Sequence, residues 1–394
     1  MTAHEKAWLI ASGAAATLVG VGLGRFAYAA LLPGIIEAGW VSEAGGAYLG
    51  AANLAGYLAG ALIASPLAAR LGGGRVIRAG LIAVVLSFAL CALPAPFVWF
   101  FFWRFLGGVA GAALMVLGPS AVLSALTPEQ RKSGAAFVFS GVGLGVLLSA
   151  TLVPALASYS MSLAWVAVAA AALLPALLTW GRWQGGAARA VCGPDPAGEP
   201  VAFAGQRVAL AAVFLAYALD AVGFVPHTVF WVDFLSRESG YSPGAAGAFW
   251  ALFGLAAVAG PFLAGFGARL LGWNNALAAA LLLKAFAVAL PLASTGVWAA
   301  VLSSALMGAL VLGVVVLVSG RLAEIAGARN HRAVWGWATL GFAGAQALTA
   351  YGFAALYARA GSYVPLFEIA AAALVAASAV AVTAPALQGA LRRA

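Results

Sequence analysis

Apolar runs of membrane length alternate along this chain with short polar turns. They fall at roughly 8–33, 44–69, 76–94, 97–126, 134–156 and 162–180, then at 207–235, 242–268, 274–292, 297–320, 333–357 and 363–387. A helix needs about 20 apolar residues to cross the hydrocarbon of a bilayer, and these runs are of that order. Backbone in lipid must satisfy its hydrogen bonds within its own segment, so such runs predict helices. The pattern predicts an all-α membrane protein with twelve transmembrane helices in two sets of six. Between the sets lies GRWQGGAARAVCGPDPAGEPVAFAGQ, residues 181–206, the longest polar and Gly/Pro-rich interval and a natural linker. The expected organisation is a six-helix N-terminal half over 1–180, a cytoplasmic linker over 181–206 and a six-helix C-terminal half over 207–394. The first apolar run lacks a convincing small-residue cleavage site and is followed at once by further spans, so it reads as a retained helix.

A shift of 200 residues aligns AGALIASPLAARLGG at 59 with AGPFLAGFGARLLGW at 259, superposing Gly60 on Gly260, Ala64 on Ala264, Ala68 on Ala268 and Gly72 on Gly272. The same shift places Gly108 on Gly308, Gly141 on Gly341 and Ser162 on Ser362. Single matches carry little in so Ala/Gly-rich a chain, but one offset serves all the span boundaries. Two units in the same orientation imply parallel repeats related by a pseudo-twofold axis along the membrane normal.

Composition removes other classes. The chain is 64% hydrophobic and 8% charged, whereas a soluble domain is about a quarter charged. Its net charge of +9 comes from basic residues scattered between apolar runs, the pattern of membrane orientation and not of a nucleic-acid surface. With the N-terminus cytoplasmic, fifteen Lys and Arg fall on that side and two, Arg237 and Arg359, on the other, which predicts both termini inside. Two cysteines, Cys91 and Cys192, and three dispersed histidines predict neither a disulfide framework nor a metal centre. No phosphate-binding GxxxxGK[ST] loop is present, which argues against ATP-driven pumping, and no cofactor is expected. Trp40 and Trp99, near span ends, read as interface anchors, and the pairs Gly56/Gly60, Gly107/Gly111 and Gly141/Gly145 as close helix contacts.

Six plus six helices, a central linker and the short basic turn SPLAARLGGGR at 65–75 resemble the major facilitator superfamily over the whole chain. In that family's helix 2 to 3 motif, Ser65 and Ala69 here replace a glycine and an aspartate, while Arg70, Gly72 and Arg75 match. The resemblance thus implies the fold without the usual gating salt bridge at this turn. RFLGGVAGAA at 104–113 is similar to the helix 4 motif, whose buried arginine is Arg104. SGVGLGVLLSATLVP at 140–154 has the glycines of the antiporter motif but not its Gly-Pro pair. GLGRFAYAALLP together with SGVGLG and GFAGAQ looks most like the YbfB/YjiJ branch.

The intramembrane charges are the candidate chemistry, because each costs about 2.5–3.5 kcal/mol at a helix centre on insertion scales. They are Arg25, Arg104, Asp220, Lys284 and Glu368. The family architecture implied by the resemblance puts Lys284 and Glu368 in peripheral helices, and they read as a structural pair or as snorkelling side chains. Asp220 lies 13 residues after Arg207, ~20 Å along its helix, and His227 follows two turns on along one stripe with Tyr217 and Phe224. A buried carboxylate and an imidazole both titrate near neutrality, so Asp220 and His227 are the expected proton-coupling pair. Arg25 and Arg104 converge in a half whose spans hold no acid, which points to an anionic ligand or to Asp220 reaching across. Arg25 points about 140° around an ideal helix from Gly20, the repeat image of Asp220, so either the glycines break helix 1 or Arg25 is structural. Tyr28, Asn53, Tyr57 and Gln346 complete the expected substrate-binding set.

The sequence therefore predicts a secondary transporter working by alternating access, proton-coupled and moving a small organic anion. It is expected to act as a monomer in the bacterial inner membrane, with protons, lipid and a small solute as its partners. Efflux of amphipathic or cationic compounds, through a cavity rich in Trp250, Phe253 and Tyr57, is the alternative, and a non-transporting receptor is the rival from another class. No clustered nucleophile and base supports an enzyme.

Overall fold

The computed structural model describes residues 2–184 and 206–391, and among them the chain is helix and turn. We number the helical passages α1 (His4–Glu37), α2 (Glu43–Leu71), α3 (Gly73–Leu90), α4 (Phe97–Ser124), α5 (Pro128–Ala157), α6 (Met161–Thr179), α7 (Arg207–Glu238), α8 (243–271), α9 (273–293), α10 (297–326), α11 (328–360) and α12 (Val364–Leu391). Among the described residues ten helices are long and apolar enough to cross a membrane, by length and composition. Passages α8 and α9 run on as one helix of 51 residues, and α10 and α11 as one of 64 residues, each interrupted by a single glycine. Gly272 has φ 76° and Gly327 φ 73°. A straight rod of that length would reach about 75 Å or more, against a hydrocarbon core of about 30 Å, so each glycine must turn the chain back. Counting the segments on either side of the breaks accommodates the expected twelve passages. Most of the linker expected over 181–206 lies outside the described residues.

Contacts between helices reproduce the repeat seen in the sequence. A Cβ added to Gly108 would lie 2.0 Å from the carbonyl oxygen of Asn53, and one added to Gly308 would lie 2.2 Å from that of Phe253. Gly60 and Gly260 likewise face the carbonyls of Val109 and Ala309, at 2.3 and 2.2 Å. Thus α2 crosses α4 as α8 crosses α10, backbone against backbone, which only glycine permits. The turn glycines follow suit, with Gly72 and Gly272 both at positive φ. Gly141 and Gly341 differ. The first abuts the Ala14 carbonyl at 2.1 Å, whereas nothing lies within 4 Å of a Cβ on the second.

The first six passages meet the last six along α1 with α7, α2 with α11 and α5 with α8. The α5–α8 contact also brings backbone near backbone, since a Cβ added to Gly143 would lie 2.7 Å from the Gly254 carbonyl oxygen. Phe26 fills the centre, its ring 6.3, 6.2 and 6.4 Å from those of Phe224, Trp250 and Phe253.

Candidate functional site at the meeting of the two halves

Helix α1 is not α-helical throughout. Leu18–Leu23 is π-helical, with Gly24 and Phe26 each donating to the carbonyl five residues back, and Gly24–Phe26 form a turn before the helix resumes. Gly20 and Gly22 let this wide turn sit against α4 and α5, for Cβ atoms there would lie 2.8 Å from Leu114 Cβ and 2.7 Å from the Val142 carbonyl. Single π turns inside α-helices commonly mark functional positions. The glycines do break helix 1 locally, and Arg25 also faces neighbouring helices, α7 and α11.

The wide turn leaves the Gly24 carbonyl accessible, and two side chains donate to it. Asn53 Nδ2 does so at 3.3 Å and Arg104 at 3.4 Å, while Asn53 also donates to the Arg104 carbonyl at 3.0 Å. The Arg104 guanidinium lies over the Tyr28 ring, 4.4 Å from its centroid, and Tyr28 donates to the Gly46 carbonyl at 2.7 Å. Arg104, Asn53 and Tyr28 are therefore buried on one another and on backbone. They hold the segment that carries Arg25, and the structure does not bring them into one ligand-facing set with it.

Arg25 points the other way, into the seam. It donates to Gln346 Oε1 of α11 at 2.8 Å and lies 4.7, 5.3 and 5.7 Å from the ring centroids of Phe224, Phe26 and Tyr57. Arg25 Nε and Gln346 Nε2 are buried donors without a hydrogen-bond partner. Of the residues expected to bind substrate, Arg25, Tyr57 and Gln346 come together.

Asp220 reaches neither arginine. Its Oδ1 accepts from Lys284 Nζ of α9 at 2.6 Å, both groups being buried, so Lys284 is not a peripheral partner of Glu368. Glu368 is exposed on α12. Nor does His227 face Asp220. Its Nε2 meets Ser303 Oγ at 2.7 Å and its ring stacks on Trp231 at 4.4 Å. Ser303 donates its own proton to the Ala287 carbonyl at 2.7 Å, so the imidazole must be the donor in the first bond. Seven helical residues set the two side chains about 10 Å apart along α7, and Pro226–Phe230 beyond is π-helical, beginning at a proline that has no N–H to give.

The Lys284 ammonium also lies 5.2 Å from the Phe224 centroid. Phe224 is thus in contact with Arg25 from one half and with Lys284 from the other.

A second cluster, unforeseen in the sequence, joins the halves at the end of the bundle remote from the N-terminus. Arg237, counted above as a loop residue, sits in the last turn of α7 and binds Asp233, four residues earlier, through its Nε and Nη2 atoms. It also pairs with Glu43 of α2 at 2.6 Å and donates to Tyr357 of α11 at 2.7 Å, and Tyr357 donates to Glu43 at 2.8 Å. Tyr363, in the turn before α12, donates to Asp233, and burial followed by that carboxylate pushes its hydroxyl up in pKa, keeping it a donor. The i,i+4 spacing of Asp233 and Arg237 was the available signal. Among the described residues no group of three His, Cys, Asp or Glu side chains could hold a metal ion.

The sequence over residues 17–382 matches the family described as "Uncharacterised MFS-type transporter YbfB". The chain belongs to this family of the major facilitator superfamily. It is therefore a multi-pass membrane transporter and not an enzyme. No curated protein matches it in sequence. Among solved structures, it resembles the peptide transporter POT in complex with sulfate at 16% identity and a TM-score of 0.75, over 95% of this chain and 94% of that one. It resembles a D-xylose-proton symporter at 16% identity and a TM-score of 0.73, over 96% of this chain and 97% of that one. At that identity these likenesses establish the fold of this YbfB-type transporter and not its solute.

Proposed function

We propose that the protein is a proton-coupled secondary transporter that moves a small organic anion by alternating access of its two halves, 1–180 and 207–394. The observation that carries the reading is the division of charge at the seam. Arg25 from the first half has neutral partners only, and Asp220 from the second is held by an ammonium in a buried pair. An anion supplies what Arg25 lacks. A proton on Asp220 releases Lys284, so protonation changes the charge beside Phe224 and, through it, the surroundings of Arg25.

In this reading the apolar runs give twelve passages, the basic-residue count gives cytoplasmic termini, and the inner membrane is where the transporter works. In that orientation the Arg237 cluster closes the outer face, and the ion pairs break when the site opens outward. His227, stacked on Trp231 of its own helix, ties α7 to Ser303 of α10 while Asp220 exchanges its partner. Efflux of cations is disfavoured by the Arg25 charge. Trp250 and Phe253, wanted as cavity walls in that reading, are fully buried against Phe26.

The test is accumulation in proteoliposomes under an imposed pH gradient. Asp220→Asn should lose gradient-driven uptake while counterflow exchange persists. The Asp220→Asn/Lys284→Met double variant serves if the single variant does not fold. A variant that still responds normally to the pH gradient would place coupling elsewhere.

A further inference from the structure

Taking the anion-transport reading as its basis, we infer that the solute is an apolar, preferably aromatic, monocarboxylate, and that Gln346 occupies its place on Arg25 when the site is empty. In the structure the Gln346 side-chain oxygen receives the Arg25 hydrogen bond at 2.8 Å, as one carboxylate oxygen would. The exchange is suggested by what that arrangement leaves undone. Arg25 Nε and Gln346 Nε2 are both buried donors that lack an acceptor. Each such orphan costs about 1–3 kcal/mol. A carboxylate has two oxygens with several lone pairs, and can accept from the guanidinium with one and from the Gln346 amide with the other. Because Arg25 belongs to α1 and Gln346 to α11, one carboxylate then ties the two halves together.

The charge count sets the valence. Among the described residues Arg25 and Arg104 are in no ion pair, while Asp220 and Asp233 each have a cation of their own; Arg104 is turned onto Tyr28 and the Gly24 carbonyl, which leaves Arg25 as the unpaired cation at the seam. One negative charge neutralises Arg25. A second would lie against the electron-rich faces of the Phe26, Tyr57 and Phe224 rings that surround the guanidinium within 5.7 Å. The same rings, continued by Phe342 stacked at 4.4 Å on Tyr217, set the chemistry of the remainder of the solute. They can bury an apolar body and stack on an aromatic one, and they offer little to a polyhydroxylated solute.

The experiment is equilibrium binding to the purified full-length protein with no gradient applied. 3-Phenylpropionate is the probe, with its amide, 3-phenylpropylamine and phthalate as comparators. Saturable binding of 3-phenylpropionate is expected, with each comparator weaker by about tenfold or more, the loss of a charge-assisted bond. The decisive variant is Gln346→Glu, which places a permanent carboxylate beside Arg25. It should abolish 3-phenylpropionate binding while leaving the melting temperature equal to or above that of the wild type. Unchanged binding in Gln346→Glu, equal binding of the amide or amine, tighter binding of phthalate, or no binding of the probe would each overturn the inference. Transport itself is read separately, because the pH-gradient response of Asp220→Asn does not depend on which solute occupies Arg25.

Discussion

Replacing Asp220 with Asn strands the Lys284 ammonium between α7 and α9, where both members of the pair are buried and 2.6 Å apart. Removing one partner of a buried pair costs about 3–5 kcal/mol, because the remaining charge has lost its water and its counter-charge together. In a chain of this size that corresponds to a fall in melting temperature of roughly 5 °C or more. Asp220→Asn/Lys284→Met removes both charges and keeps the volume, so most of the loss should return, since apolar replacements of buried pairs are often neutral. Both proteins should be followed in the same detergent by intrinsic fluorescence, with Glu368→Gln, at an exposed position, as the control that stays within about 0.5 kcal/mol of wild type. A double variant no more stable than the single one would refute the reasoning, because the damage would then lie in lost packing and not in a stranded charge.

The remaining predictions concern the frame around the site. Gly108→Ala and Gly308→Ala should each lower stability by about 1–3 kcal/mol, since the added methyl meets backbone at 2.0 and 2.2 Å, whereas Gly341→Ala meets nothing within 4 Å and should be neutral; melting curves decide. Arg237→Gln should loosen the clamp on Glu43 and Tyr357 and widen the distance distribution between spin labels at Ala38 and Ser362; an unchanged distribution counts against the clamp as a closure. In a cysteine-free background, single cysteines at Ser239 should react with an impermeant reagent in intact cells, and those at Leu71 should not; the reverse result would invert the orientation.

Some of this was legible in the sequence because lipid leaves so few choices. Apolar runs of span length have to be helices, and the 200-residue offset survived as matched contacts at Gly60 and Gly260 and at Gly108 and Gly308. Partners between helices were less legible. Asp220 and Lys284 lie 64 residues apart on α7 and α9, and an angular count along one helix cannot say which neighbour a face meets. The Ser303 partner of His227 was equally illegible, since it lies 76 residues away on α10. The bond from Arg104 to the Gly24 carbonyl was not legible because that carbonyl is met by side chains only where helix 1 has widened. Asp233 and Arg237 stood four residues apart in plain view and were missed because the arginine was assigned to a loop.

Arg25 and the other buried cations differ in one respect that an experiment can read. Lys284 answers a carboxylate, and Arg104 lies under Tyr28 and serves the Gly24 carbonyl, so alanine at either position removes structural contacts. Arg25, like Arg104, keeps a buried Nε without an acceptor, but its one hydrogen bond crosses the seam to a neutral amide of α11 and not to the backbone of its own half. Its charge is retained for a ligand if removing it harms binding and spares the fold. The measurement is melting temperature beside equilibrium affinity for a solute anion in Arg25→Ala, with Arg104→Ala in parallel. The account predicts that Arg25→Ala melts at or above the wild-type temperature and binds no anion, while Arg104→Ala melts lower. An Arg25→Ala protein that loses stability yet binds with unchanged affinity in its folded fraction would contradict it.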